Sequence, residues 1–197
     1  MMSSAVQTYR TIKSSCEGRY KEKGSRFLAF GFPVVSEEAI QEILGTYKKK
    51  FFDARHVCYA YRLGPEGNIQ RANDDGEPSS TAGKPILGQL LSFDLTNILL
   101  VVVRYFGGVK LGTGGLAQAY KAAARDALEQ ADVVEERVME TITLQFTYEQ
   151  TDIVMRTIQN TESEIVEQSY TEGPLPCILT VRVPIAEKET LIHLFKV

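Results

Sequence analysis

The sequence predicts a two-part α/β (α+β) protein, with a larger domain over residues 1–135 and a smaller one over 138–197. Three observations point there. Apolar residues make up 44% of the 197 positions and charged residues 24%, an ordinary globular balance. Strand-type and helix-type apolar periods alternate as far as residue 135. The pattern then resets after Glu135-Glu136-Arg137 into a βαββα order. This composition excludes a disordered tail, a collagen and a disulfide knot.

Residues 8–17 and 25–35 read as strands joined by a basic turn, Arg19-Tyr20-Lys21-Glu22-Lys23-Gly24. Arg26-Phe27-Leu28-Ala29-Phe30 within the second is apolar on both faces. A helix follows Ser36, a suitable cap, with Glu37 and Glu38 at its positive start and Lys48, Lys49 and Lys50 at its negative end. Its apolar stripe is Ile40, Ile43, Leu44 and Tyr47. His56 to Leu63 reads as a strand, and a short strand starts at Ile69 after a Gly-Pro turn. Ser79-Ser80-Thr81 are expected to cap the next helix, which carries Ile86, Leu87, Leu90 and Leu91 and has Pro85 in its first turn. Asn97 to Arg104 is a buried central strand. Gly107-Gly108 ends it, and an Ala-rich helix runs from Gly114 to about residue 131.

In the second domain Ile142, Leu144, Phe146 and Tyr148 alternate with polar residues. A helix over 149–160, a strand over 164–170, a turn at Gly173-Pro174, a strand from Cys177 and a final helix complete it. This is a ferredoxin-like half whose last strand is missing or very short.

Net charge is −3. Residues 1–62 carry 11 Lys+Arg against 6 Asp+Glu, and residues 138–197 carry 4 against 9. The amino-terminal segment is therefore basic and the carboxy-terminal one acidic. The longest apolar run, Ile98–Val103, is far short of the ~18–20 residues a membrane helix needs. The first eight residues show no leader pattern, so the expected location is the cytosol, away from membranes. Cys16, Cys58 and Cys177 are widely spaced and suit free thiols.

Four segments are candidate sites. Arg104-Tyr105-Phe106-Gly107-Gly108-Val109-Lys110-Leu111-Gly112-Thr113-Gly114-Gly115 joins a buried strand to a helix start, where free N–H groups favour anions. Gly112, Gly114 and Gly115 permit close approach, and Arg104 and Lys110 add positive charge. It is neither a P-loop nor a dinucleotide fingerprint, and no cofactor is expected. Asp74, Asp75, Glu77, Ser79, Ser80 and Thr81 form a polar recognition loop. Asp74, Asp75 and Glu77 are weak metal candidates, the alternative being a turn whose hydroxyls cap the helix. His56 and Cys58 share a strand face and suit a structural pair better than a nucleophile and its base. His193 has no partner at metal-ligand spacing. Arg19, Lys21, Lys23 and Arg26, interleaved with Tyr20 and Phe27, suit a phosphate backbone and stacked bases. No catalytic residue is assigned.

Taken together, Lys23-Gly24-Ser25-Arg26-Phe27, Asp53–Ala60, Asp74–Pro85 and above all Val103–Gly112 resemble the IMPACT/YigZ family. The resemblance spans essentially the whole chain. It implies an amino-terminal domain like domain IV of elongation factor G and a ferredoxin-like second domain like domain V. It also implies a translation-linked role, since eukaryotic members are regulators acting by protein contact, and by analogy nucleic-acid or ribosome binding.

The leading expectation is a non-enzymatic protein that binds RNA or the ribosome through Arg19, Lys21, Lys23, Arg26, Arg104 and Lys110, with Tyr105 or Phe106 stacking. One alternative is an enzyme or sensor holding a small phosphorylated ligand at Gly112–Gly115. Another is purely protein–protein regulation with a translation-related partner. All rest on one premise, that the acidic and Gly-rich loops converge on a concave surface where Arg104 is free to meet negative charge.

Overall fold

A computed structural model describes residues 6–195; residues 1–5, residues 196–197 and the side chains of residues 193–195, His193 and Phe195 among them, lie outside the described part. The chain divides into two compact units, Tyr9–Glu136 and the stretch from Arg137 onward. Residues 6–8 group with the second unit, although the sequence places them in the first.

In the first unit β1 (Thr8–Ile12) pairs with β7 (Val133–Arg137) as a separate two-stranded sheet. The single strand expected over 8–17 is thus two. Exposed Lys13, Ser14 and Ser15 interrupt it, and β2 (Cys16–Glu22) begins afresh. Most of the expected basic turn is strand β2. The turn itself is only Lys23-Gly24, at φ 44° and 80°, the two left-handed residues a tight hairpin requires. The charged stretch expected as a boundary, Glu135-Glu136-Arg137, lies in β7.

Five antiparallel strands form the main sheet, in the order β2, β3 (Ser25–Pro33), β6 (Ile98–Tyr105), β4 (His56–Leu63), β5 (Ile69–Asn73). β3 and β6 are apolar on both faces because helices cover both. Phe27, Ala29, Leu100 and Val102 face α2 (Gly83–Ser92) and α3 (Gly112–Glu129), around a fully buried Tyr120. Phe30, Leu99, Val101 and Val103 face Ile40 and Leu44 of α1 (Glu37–Lys50). Ser36 Oγ caps α1 by accepting from the Ala39 N–H at 3.2 Å. α3 starts two residues before the expected Gly114.

The second unit runs β8 (Met139–Phe146), α4 (Thr151–Asn160), β9 (Glu164–Tyr170), β10 (Cys177–Pro184) and α5 (Lys188–Phe195). Its antiparallel order is β8-β10-β9, the arrangement of a ferredoxin-like half. Ile142, Leu144 and Phe146 pack with Leu179, Val181 and Val183 under Val154, Ile158 and Leu191. No described helix is long and apolar enough to cross a membrane. All three cysteines are buried and unpaired.

The close seating of α3 on β2 depends on Gly18. A Cβ there would lie 2.2 Å from the Ala127 nitrogen, against helix backbone that cannot step aside. Gly18→Ala should destabilise the protein by about 1–3 kcal/mol or more, the usual cost of overpacking. Urea denaturation would show it as a lower midpoint at unchanged slope.

Candidate functional site

Three loops meet at one end of the main sheet: the α1–β4 connection, the β5–α2 loop and the β6–α3 loop. A cavity of about 470 Å³ opens among them, lined by Arg55, His56, Glu77, Arg104, Lys110 and Gly112, with others. The acidic and Gly-rich loops therefore do converge. What holds them together is the group the sequence assigned to the ligand. Arg104 is only 6% exposed and Glu77 8%. Arg104 Nη1 donates to Glu77 Oε1 at 2.5 Å, and the Tyr120 hydroxyl donates to the same oxygen at 2.9 Å. Arg104 is thus neutralised internally and does not serve as a free phosphate ligand. Glu77, expected in a recognition loop, is the buried partner that neutralises it.

The rest of the acidic loop is structural as well. Asp75 and Gly76 take left-handed conformations, φ 42° and 84°, and the Glu77 N–H closes the turn onto Asp74 O at 2.9 Å. Asp74, not Ser79–Thr81, caps the α2 end. Its Oδ1 accepts from the Ala82 and Gly83 N–H groups at 3.0 and 2.8 Å, and its Oδ2 from Ser80 at 2.8 Å. Burial opposes ionisation of Asp74, yet these three amides hold its carboxyl below the usual range. Asp75 accepts from the Val57 N–H at 2.7 Å and pairs with Lys48 at 3.5 Å. Thr81 is buried and donates to Pro78 O. The three carboxylates are thus turned to backbone amides and cation partners, and no group of three His, Cys, Asp or Glu is gathered among the described residues.

His56 and Cys58 lie on the α2/α3 face of β4. His56 Nδ1 donates to Asp75 O at 2.8 Å, since a carbonyl can only accept. Cys58 Sγ lies 3.1 Å from Asp74 O and 3.3 Å from the Tyr120 hydroxyl. Burial pushes the Cys58 thiol far up despite that hydroxyl, which disfavours the thiolate form.

The other cations divide by strand alternation. Arg19 and Lys21 on β2 and Arg26 on β3 are exposed and fall on the α1 face of the sheet. Arg26 lies 4.9 Å over the Tyr105 ring, whose hydroxyl donates to Asp53. Lys110 and Gly112 line the cavity, where Phe106 is 43% exposed, while Gly114 and Gly115 follow in the first turn of α3 and are not part of its lining. The two sets are joined by backbone. Gly107 approaches Gly24 so closely that a Cβ would sit 1.9 Å from the Gly24 carbonyl carbon, and the Gly107 N–H donates to Ser25 Oγ. Lys23 stands exposed in that hairpin turn. Arg55 and Phe52, the latter 85% exposed, complete this end of the molecule and were missed. Only their place after a Lys-rich helix end hinted at them.

Every named cavity residue falls within residues 23–128, which match the Impact N-terminal domain family. The chain belongs to the IMPACT family. It is 35% identical over 150 residues to IMPACT family member YigZ of Escherichia coli (strain K12), covering 75% of this chain and 74% of that protein. It is 42% identical over 134 residues to IMPACT family member YvyE of Bacillus subtilis (strain 168), covering 68% of this chain and 62% of that one. The match thus spans under two thirds of the YvyE relative's length. A crystal structure of a hypothetical protein, 30% identical, superposes with a TM-score of 0.74 over 95% of this chain and 90% of the other.

Glu77→Gln leaves the Arg104 charge buried without its counter-ion and should cost about 3–5 kcal/mol. Replacing both Arg104 and Glu77 by Met and Gln should restore part of that loss. A double-mutant cycle from chemical denaturation would measure the coupling. In the native protein the Cys58 thiol should resist alkylation and become reactive only as denaturant unfolds the first unit; mass spectrometry of labelled peptides reads this directly.

Proposed function

We propose that this IMPACT-family chain is a non-enzymatic, translation-linked binding protein of the cytosol whose first unit grips RNA. One observation carries the reading. The exposed cations Lys21, Lys23, Arg26, Arg55 and Lys110 gather at the sheet end that also exposes Phe52 and Phe106. Cations beside aromatic faces suit a phosphate backbone with unstacked bases. Of the local carboxylates, two are ion-paired with cations outside this set and two accept from tyrosine hydroxyls. Asp53 accepts from Tyr105, Glu22 from Tyr20, Asp75 pairs with Lys48, and Glu77 pairs with Arg104. The translation link comes from the family. The acidic second unit is suited to a protein contact or to orienting the first.

Fluorescence anisotropy with single-stranded RNA across a salt series tests this. Affinity should fall with salt at a slope of about −0.7 per phosphate neutralised. Removing Lys21 and Lys23 together should reduce that slope by about 1–2. Phe106→Ala should weaken binding by about 1–3 kcal/mol while leaving the slope unchanged. Absent binding, or binding indifferent to salt and to these lysines, overturns the proposal.

A further inference from the structure

The sheet of the second unit ends on a strand left bare. In the order β8-β10-β9, β9 pairs with β10 alone among the described residues, so its far side presents unpaired N–H and C=O groups. All seven residues, Glu164–Tyr170, are exposed. Native proteins usually blunt such an edge with lysine, proline or a bulge. β9 has neither Lys nor Pro, and its one irregularity leaves Val166 without a partner on β10. Past that point Glu167–Tyr170 pair regularly with Cys177–Thr180, so their outer edge is a straight, open template.

The two faces of this strand differ in chemistry. Ile165, Gln168 and Tyr170 stand opposite Val181, Leu179 and Cys177, whose side chains enter the core, and therefore share the face that carries α4 and α5. The helices do not cover them: Ile165 is 44% exposed and Tyr170 62%. Glu164, Glu167 and Ser169 fall on the opposite face. At the carboxy end the rings of Tyr148 and Tyr170 lie nearly parallel, centroids 6.3 Å apart, and Tyr148 also lines a cavity of about 470 Å³ with Glu149 and Glu172. Among the described residues the ion pairs of this unit leave Glu149, Glu167 and Glu172 without a cation.

We propose that β9 is the docking edge for a protein partner, an extended segment in which lysine or arginine alternates with apolar residues, added as a strand along Glu167–Tyr170. The inference rests on the reading of the acidic second unit as a protein contact and names what that contact takes. Strand addition satisfies the free backbone groups. The period of two then sends apolar side chains to the Tyr170 face and cations to the Glu167 face. A cation at the segment's end meets the Tyr148 ring beside Glu149 and Glu172. A second copy of the chain suits this edge poorly, because β9 contains two glutamates and no cation, and β9 against β9 gathers like charges. The same carboxylates repel a phosphate backbone.

Amide NMR spectra of the full chain, titrated with a short synthetic peptide of alternating lysine and valine, test the edge. Resonances of residues 164–172 should shift saturably, and a peptide with glutamate in place of each lysine should leave them unmoved. Glu167→Lys combined with Glu172→Lys should weaken binding about tenfold, and Tyr170→Ala about threefold, with the rest of the spectrum native because all three positions are exposed. N-methylation separates strand addition from plain charge attraction. Methyl groups on one alternate set of peptide nitrogens should abolish binding, and on the other set leave it intact. Binding that tolerates both sets overturns the inference, as does the absence of shifts in β9. Saturable shifts elsewhere in the second unit overturn the edge but leave the protein-contact reading standing. A peptide-free chain that sediments as a dimer with β9 amides protected from exchange gives the edge to a second copy, and single-stranded RNA that moves β9 resonances gives it to RNA; either result overturns the proposal. RNA affinity through Lys21 and Lys23 is read separately and stands or falls by itself.

Discussion

The buried ion pair between Arg104 and Glu77 is the constraint on which the functional end of this protein depends. Arg104 leaves the central strand β6, Glu77 sits past a tight turn on the β5–α2 loop, and Tyr120 reaches the same carboxylate oxygen from α3. Three elements distant in sequence thus share one oxygen atom. In so little water each charge would be costly alone, and together they are tolerable only at close range. The pair works as a register pin: it sets where the acidic loop lies against the start of α3, and therefore the width of the cavity between them.

Around that pin the polar groups fall into two kinds. Asp74, Asp75, His56, Cys58 and Thr81 turn inward, and each satisfies neighbouring backbone or a neighbouring hydroxyl. Lys21, Lys23, Arg26, Arg55 and Lys110 stay at the surface. The inward set turns the carboxylates of the acidic loop onto backbone amides and, at Asp75, onto Lys48, while the outward set stays exposed. A loop that reads as acidic in sequence thereby borders a surface set with exposed cations.

Much of the architecture was legible because it follows from apolar period. The α1 stripe Ile40, Ile43, Leu44 and Tyr47, the doubly apolar β6 and the small inner face of α3 each admit one placement. The order of the second unit was legible for the same reason. Arg104 was not, since an arginine at the end of a buried strand reads alike whether it meets solvent or a carboxylate 27 residues away. The α2 cap was missed because Asp74 reaches amides six to nine residues ahead, while the nearer hydroxyls of Ser79–Thr81 fit the usual capping spacing. The break between β1 and β2 was hidden because Lys13-Ser14-Ser15 carries no Gly or Pro. The split of the basic residues over two sheet faces follows from strand alternation, and became visible only once Arg19 and Lys21 were known to lie in a strand.

That split has a mechanical corollary. The α1-face cations and the cavity cations are separated by the thickness of the sheet and joined only around its rim, where Gly24 and Gly107 touch. A polyanion that engages both must turn a corner within a few nucleotides. Double helices are far too stiff to do so, with persistence of about 150 base pairs for DNA. Only a pliant, unpaired strand can follow such a path, so on the proposed RNA-binding reading the rim would screen ligands by flexibility before any base is read.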